Sequence, residues 1–326
     1  MRKIILAVLM MGLLPIGDTL PAYADRGGVV RFAILPAGAG HPEGIAADAK
    51  GNIYVATFDF TTTNVIHIFR SSSGHLLATI PLPGVVPLGL AFNAAGNLYV
   101  ADFLNGDIVR YAPPFTSSST PATTYDVCGG VAVGCGLNAI TFDDAGDLYV
   151  SDSFGGRIFK IDLPGGAVST FFSDPLLQPG SHAFPPFGAN GLAFNAAGTA
   201  LYIANTGDDR ILKLDLGTMT LSTFAESVNG ADGILFDGKG RLWVAANQAD
   251  EIVALDSDGR VAERRGSFEG IGNDGAAKGL LFPASIVLSR GSLYVTNAAL
   301  ALTGTDSEPE ADVTTFTVSR IPLGGH

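Results

Sequence analysis

The chain has 326 residues, a formal net charge of −12, 47% hydrophobic residues, 42 glycines and only 15% charged residues. So little charge beside so much apolar content excludes a disordered tail or a coiled coil, and two cysteines are too few for a disulfide scaffold or a paired-cysteine zinc module. The acidic balance of 31 carboxylates against 19 basic groups argues against a phosphate-backbone binder, so no nucleic-acid partner is expected.

Arg2 and Lys3 open the chain, Ile4 to Ile16 is apolar, and Ala22-Tyr23-Ala24 forms a small-x-small cleavage signal. This pattern predicts a secretory signal peptide over residues 1–24 and export to the periplasm or outside the cell. The apolar stretch is shorter than the roughly 20 residues a bilayer demands, and no later stretch is a candidate, so no transmembrane span is expected after cleavage. Residues 25–326 are predicted to form a single domain. If exported, Cys128 and Cys135, which bracket Gly-Gly-Val-Ala-Val-Gly, can pair as a local clip.

From Pro42 onward the chain repeats itself. Pro-Glu-Gly-Ile-Ala-Ala-Asp then Gly-Asn-Ile-Tyr-Val recurs as Leu88–Asn93 then Gly96–Val100, and as Asn138–Asp143 then Gly146–Val150. Three further copies begin at Asn190, Asp232 and Ala284, with second halves ending in Leu201-Tyr202-Ile203, Leu242-Trp243-Val244 and Leu293-Tyr294-Val295. The steps between the successive origins Glu43, Leu88, Asn138, Asn190, Asp232 and Ala284 are 45, 50, 52, 42 and 52 residues. That period is the mark of a propeller, whose blades cannot bury their faces alone.

Each unit reads as four strands. A short apolar run and a tight turn lead into the Leu-Tyr-Val strand. Alternating third strands follow (Asp107–Tyr111, Arg157–Ile161, Arg210–Leu214), and then an outer strand such as Ala167–Phe171. The predicted fold is an all-β, six-bladed β-propeller. The last unit lacks an outer strand after Val313–Ile321, and the orphan strand Val29–Leu35 is expected to supply it and close the ring.

In such blades the first-to-second and third-to-fourth turns lie at one end, while the second-to-third loops and crossovers lie at the other. The long insertions Ala112–Leu137, Ser173–Ala189, Gly266–Pro283 and Ala298–Asp312 are assigned to the second end, where binding is expected. The six origins lie at that end, around the axis. Glu43, Asn138, Asn190 and Asp232 are oxygen donors, and carboxylates converging there call for a hard cation. Turn chemistry is the competing explanation for Asn190-Gly191 and Asp232-Gly233, though not for Glu43. A second polar ring, Asp102, Asp152, Asn205, Asn247 and Asn297, is expected mainly to cap loops, with support of the first ring as the functional alternative. The five histidines show no paired ligand spacing. His41 and His182 are possible proton carriers.

The repeats look like those of NHL-type propellers. Three segments carry a narrower likeness: Glu43 in Pro-Glu-Gly, Asn190 in Asn-Gly-Leu-Ala-Phe, and Asp232 in Ala-Asp-Gly-Ile-Leu-Phe-Asp-Gly-Lys-Gly-Arg-Leu-Trp-Val-Ala. Together they resemble the senescence marker protein (regucalcin)/gluconolactonase family, over roughly residues 30–322, most closely in the fourth and fifth blades. The resemblance implies one divalent ion held by Glu43, Asn190 and Asp232, with Ca²⁺ first and Mg²⁺, Mn²⁺ or Zn²⁺ as alternatives. It further implies that Asn138 contacts substrate or bound water and that Asp232 is the base in lactone hydrolysis. Two positions depart from that family's pattern: Ile45 stands where a proline is usual, and no arginine accompanies Asn138. Phe184 and Phe187 in the Ser173–Ala189 loop are expected to cover the apolar side of a small-molecule substrate. The two functional readings are thus a metal-dependent hydrolase of lactones or small esters, and a non-catalytic propeller that binds a protein or glycan.

Overall fold

The computed structural model describes residues 28–130, 134–180, 183, 185–303 and 307–324. The predicted signal peptide lies outside them, as do Phe184 and His182. Among the described residues no helix is long and apolar enough to cross a membrane.

Six four-stranded antiparallel sheets follow one another. Their innermost strands are His41–Ala47, Pro87–Phe92, Leu137–Phe142, Ala189–Phe194, Ala231–Phe236 and Pro283–Ser289, which begin blades 1 to 6. Blade 6 runs Pro283–Ser289, Ser292–Asn297, Thr317–Pro322 and finally Val30–Ile34. The N-terminal strand therefore closes the ring, as its sequence predicts. The third strand of that blade starts at Thr317 rather than Val313, because Pro309–Asp312 forms a short 3-10 turn before it.

Two devices explain the repeat. The first closes the inner hairpin of blades 1 to 5. The side-chain oxygens of Asp48, Asn93, Asp143, Asn195 and Asp237 accept the backbone N–H four residues on, at 2.8–3.0 Å. The glycine three residues on sits at φ between +62° and +89°, where a side chain would be strained. The second device joins neighbours. In blades 1 to 4 the tyrosine of the second strand meets the phenylalanine of the next innermost strand edge-on: Tyr54–Phe92, Tyr99–Phe142, Tyr149–Phe194 and Tyr202–Phe236, with centroids 4.9–5.3 Å apart. Such pairs add about 0.5–1.5 kcal/mol each beyond their buried area. In blade 5 the tyrosine is replaced by Trp243, fully buried, whose Nε1 donates to Asp237 at 2.9 Å.

One insertion is divided. The outer strand Thr123–Asp126 splits Ala112–Leu137, so its first part is a third-to-fourth turn at the opposite end from the crossovers. Phe115 there packs against Tyr54 and Phe92, at 5.5 and 5.8 Å. Only the part beyond Asp126 belongs to the loop-rich end. That part holds the disulfide Cys128–Cys135. From the short loop it closes, Cys135→Ser is expected to lower stability by about 2 kcal/mol in urea titrations. An unchanged midpoint would count against a stabilising clip.

Candidate functional site

Each innermost strand carries a β-bulge at the same place. Pairing with the second strand slips between Pro42 and Ile45, Pro87 and Leu90, Leu137 and Ile140, Ala189 and Leu192, Ala231 and Ile234, and Pro283 and Ile286. Two residues there face one on the partner strand, and a bulge of this kind re-aims a side chain. The first bulged residues are Glu43, Leu88, Asn138, Asn190, Asp232 and Ala284, and all six line one cavity of about 140 Å³. The second bulged residue must be small. A Cβ on Gly44, Gly89 or Gly191 would stand 2.1–2.2 Å from the carbonyl oxygen of Leu88, Asn138 or Asp232 in the next blade.

The next position along sets the floor. Ile45, Leu90, Ile140, Leu192, Ile234 and Ile286, one per blade, surround a residual space of about 70 Å³. This apolar collar underlies the polar ring.

A second ring faces the same cavity, displaced from the one read in the sequence. Asp102, Asp152, Asn205 and Asn297 cap loops. For example, Asp152 Oδ1 accepts the backbone N–H groups of Gly136, Phe154 and Gly155 at 2.9–3.2 Å. In blade 5 the position in register with these is Ala246, and Asn247 lies one residue on. It corresponds instead to Phe58, Phe103, Ser153, Thr206 and Ala298. Asn247 Nδ2 donates to Asp232 Oδ2 at 2.9 Å.

Hydroxyls hold the asparagines from behind. Asn138 Nδ2 donates to Ser153 Oγ at 3.3 Å, and Ser153 donates onward to the Ala189 carbonyl at 2.7 Å. Asn190 Nδ2 donates to Thr206 Oγ1 at 2.9 Å, and Thr206 donates to the Ala231 carbonyl at 2.7 Å. Each relay ties one blade to the next and leaves Oδ1 as the uncommitted acceptor. Ser153 and Thr206 escape sequence reading because a serine or threonine beside a capping residue carries no distinctive pattern.

The carboxylates are under strain of charge. Glu43 Oε2 and Asp232 Oδ1 are buried with no hydrogen-bond partner. Burial pushes the Asp232 carboxyl up to about 7, although the Asn247 and Asn190 amides pull it back. Burial also raises Glu43 well above the carboxylate range, the charge of Asp232 adds to the rise, and Ser285 opposes it. Two acids that resist ionisation beside each other, with amide oxygens at hand, fit a hard cation better than they fit water alone. Among the described residues there is no cluster of three His, Cys, Asp or Glu. Any cation here would depend on the asparagine oxygens.

Phe187 lines the cavity with Pro185. It stacks on Phe154, centroids 5.7 Å apart, and Phe154 meets Phe103 at 5.3 Å. His41 is a tether: its Nδ1 lies 2.8 Å from the Ala298 carbonyl and its ring meets Phe316 at 4.8 Å.

Residues 186–265 span blades 4 and 5, including Asn190, Thr206, Asp232 and Asn247, and they match the family model of the SMP-30/Gluconolactonase/LRE-like region. These are the two blades in which the sequence likeness is closest; Glu43 and Asn138 lie outside the match. No curated protein matches the chain in sequence. Beyond residues 186–265, the whole ring is similar to solved propellers. A gluconolactonase from Xanthomonas campestris is 15% identical, with 93% of each chain covered and a TM-score of 0.63. A calcium-binding protein, regucalcin, from Agrobacterium tumefaciens is 18% identical over 86% of this chain and 89% of that one, TM-score 0.60. A virginiamycin B lyase from Staphylococcus aureus is 15% identical over 91% and 99%, TM-score 0.58. At these identities the likeness is one of fold, and the fold hosts both a lactonase and a lyase.

Proposed function

We propose that the protein is a metal-dependent hydrolase of lactones or similar small esters, exported and acting on a small molecule. The supporting observation is the pair of buried, unpartnered carboxyl oxygens of Glu43 and Asp232 at the mouth of a closed channel. Glu43, Asn190 and Asp232 would hold one divalent cation, Ca²⁺ in the first instance. What such an ion supplies when bound is positive charge for a carbonyl oxygen and a lower pKa for water. The residues do the rest. Asp232 takes the proton of the attacking water. Asn138, with one amide N–H committed to Ser153, offers the other to the developing oxyanion. Water adds to the carbonyl carbon, the ring C–O bond breaks, and the alkoxide takes the proton back to give the hydroxy acid.

Two experiments test this reading. Metal analysis of purified protein should find about one divalent ion per chain, and a lactone panel should turn over only without chelator. Turnover indifferent to chelator would overturn the metal dependence, and no turnover with a full complement of metal would leave a binding propeller instead. Thr206→Val should keep the fold but free the Asn190 amide, so divalent-ion affinity by calorimetry should fall about 10–100-fold. Unchanged affinity would remove Asn190 from the ligand set.

A further inference from the structure

The cavity is two-sided. Blades 3, 4 and 5 contribute Asn138, Asn190, Thr206, Asp232 and Asn247, and blade 1 adds Glu43. The opposite wall is apolar: Phe58, Leu88, Phe103, Phe187, Phe282 and Leu300. No lysine, arginine or histidine lines it among the described residues. The polar wall, moreover, has few donors to spare. Asn138, Asn190 and Asn247 each commit one amide N–H, to Ser153, Thr206 and Asp232, and Thr206 gives its proton to the Ala231 carbonyl.

Resting on the hydrolase reading above, we infer that the substrate is a neutral lactone or ester bearing an apolar alkyl or aryl substituent, and not a polyhydroxylated sugar acid. A sugar lactone would bring several hydroxyls against phenylalanines, where each loses its water and finds no partner. An alkyl group loses nothing there and gains from leaving water. The carbonyl end faces the polar arc, and the substituent lies along Phe58, Phe103 and Phe187 toward the rim. There Phe60, 67% exposed, extends the apolar surface from Phe58, with centroids 6.1 Å apart. An open rim lets the substituent exceed the length of the cavity itself.

The test is a homologous series: δ-valerolactone, δ-hexanolactone, δ-octanolactone and δ-decanolactone beside glucono-δ-lactone, on the metal-loaded full chain. The expected kcat/KM rises about fourfold per methylene over the first carbons, and glucono-δ-lactone falls far below the alkyl series. Phe103→Leu should flatten the rise. Phe60→Ala, on an exposed loop where folding does not depend on it, should lower the longest members by about threefold more than δ-valerolactone. Calorimetry with 2-hexyltetrahydropyran against tetrahydropyran reads recognition without chemistry. Tighter binding of the alkylated ether without turnover of any lactone keeps the apolar recognition and overturns the hydrolase reading. Preference for glucono-δ-lactone, or a flat series with equal binding of the two ethers, overturns the inference and leaves the hydrolase reading standing wherever turnover is seen.

Discussion

Asp232→Asn is expected to abolish the response to divalent ions and at the same time to raise the melting temperature of the metal-free protein. Asp232 Oδ1 is buried without a partner, and Asn247 serves only Oδ2. Asparagine keeps an acceptor for Asn247 and removes the desolvated charge that acts on Glu43. A carboxyl moved from 3.8 to about 7 holds about 2–4 kcal/mol of destabilisation once ionised at pH 8, or a melting shift of several degrees. Turnover should drop by on the order of a thousandfold or more, since ligand and proton acceptor are lost together. Differential scanning calorimetry with and without Ca²⁺, beside the lactone assay, checks both halves. A variant that melts like the wild type and still binds ions would remove Asp232 from the site. The predicted gain in stability separates a functional carboxylate from a structural one, whose loss would only weaken the fold.

The second large effect is in the pH profile. In the unfolded chain Asp232 ionises near 3.8, and in the folded chain near 7. Its contribution to stability is therefore intact below about pH 4 and is lost as pH rises to about 7. Glu43 acts in the same direction, and Asp250, pushed up to about 6 by burial, does so as well. His67 runs the other way. Burial lowers it from 6.5 to about 4, so stability falls as pH drops through that window. The raised acids outnumber the one histidine, so the metal-free protein should be most stable near pH 4 and lose stability as pH rises toward 7. A saturating divalent ion should lift the alkaline limb, by about 2.7 kcal/mol at a hundred times Kd, and leave the acid limb where it was. Urea midpoints across the pH range, repeated for Asp232→Asn, measure this. An alkaline limb untouched by either ion or substitution would place its cause elsewhere.

The ring was legible in the sequence because its two devices are local. The turn aspartate or asparagine with glycine three residues on, and the tyrosine and phenylalanine that meet across blades, recur at readable positions. The polar origins could be read for the same reason. Less visible was what aims them, since a bulge is a matter of register between two strands and leaves only a small residue as its trace. Asn247 was displaced by one because blade 5 leaves its second strand at Ala246 and turns at once through Asn247–Ala249. Ala112–Leu137 reads as one loop in the sequence because Thr123–Asp126 is four residues long and half-exposed, too brief to stand out from its polar surroundings. The apolar wall draws on blades 1, 2 and 6 and on two crossovers. No single stretch of sequence contains it.

Closure by the N-terminal strand also fixes the order in which the site can come into being. Blades 3 to 5, which bear both asparagines and Asp232, are made from contiguous chain and need no distant partner. Glu43 is different. Its backbone carbonyl accepts the hydroxyl of Thr296 at 2.8 Å, from the blade made last. That blade in turn is complete only when Thr317–Pro322 pairs with Val30–Ile34, across almost the full length of the chain. Contacts so far apart in sequence form late. A nascent or truncated chain would thus carry most of the polar arc yet lack its second carboxylate, and ion binding would switch on with the final strand. If the proposed cation site holds, maturation of the protein could be timed by its affinity for a divalent ion.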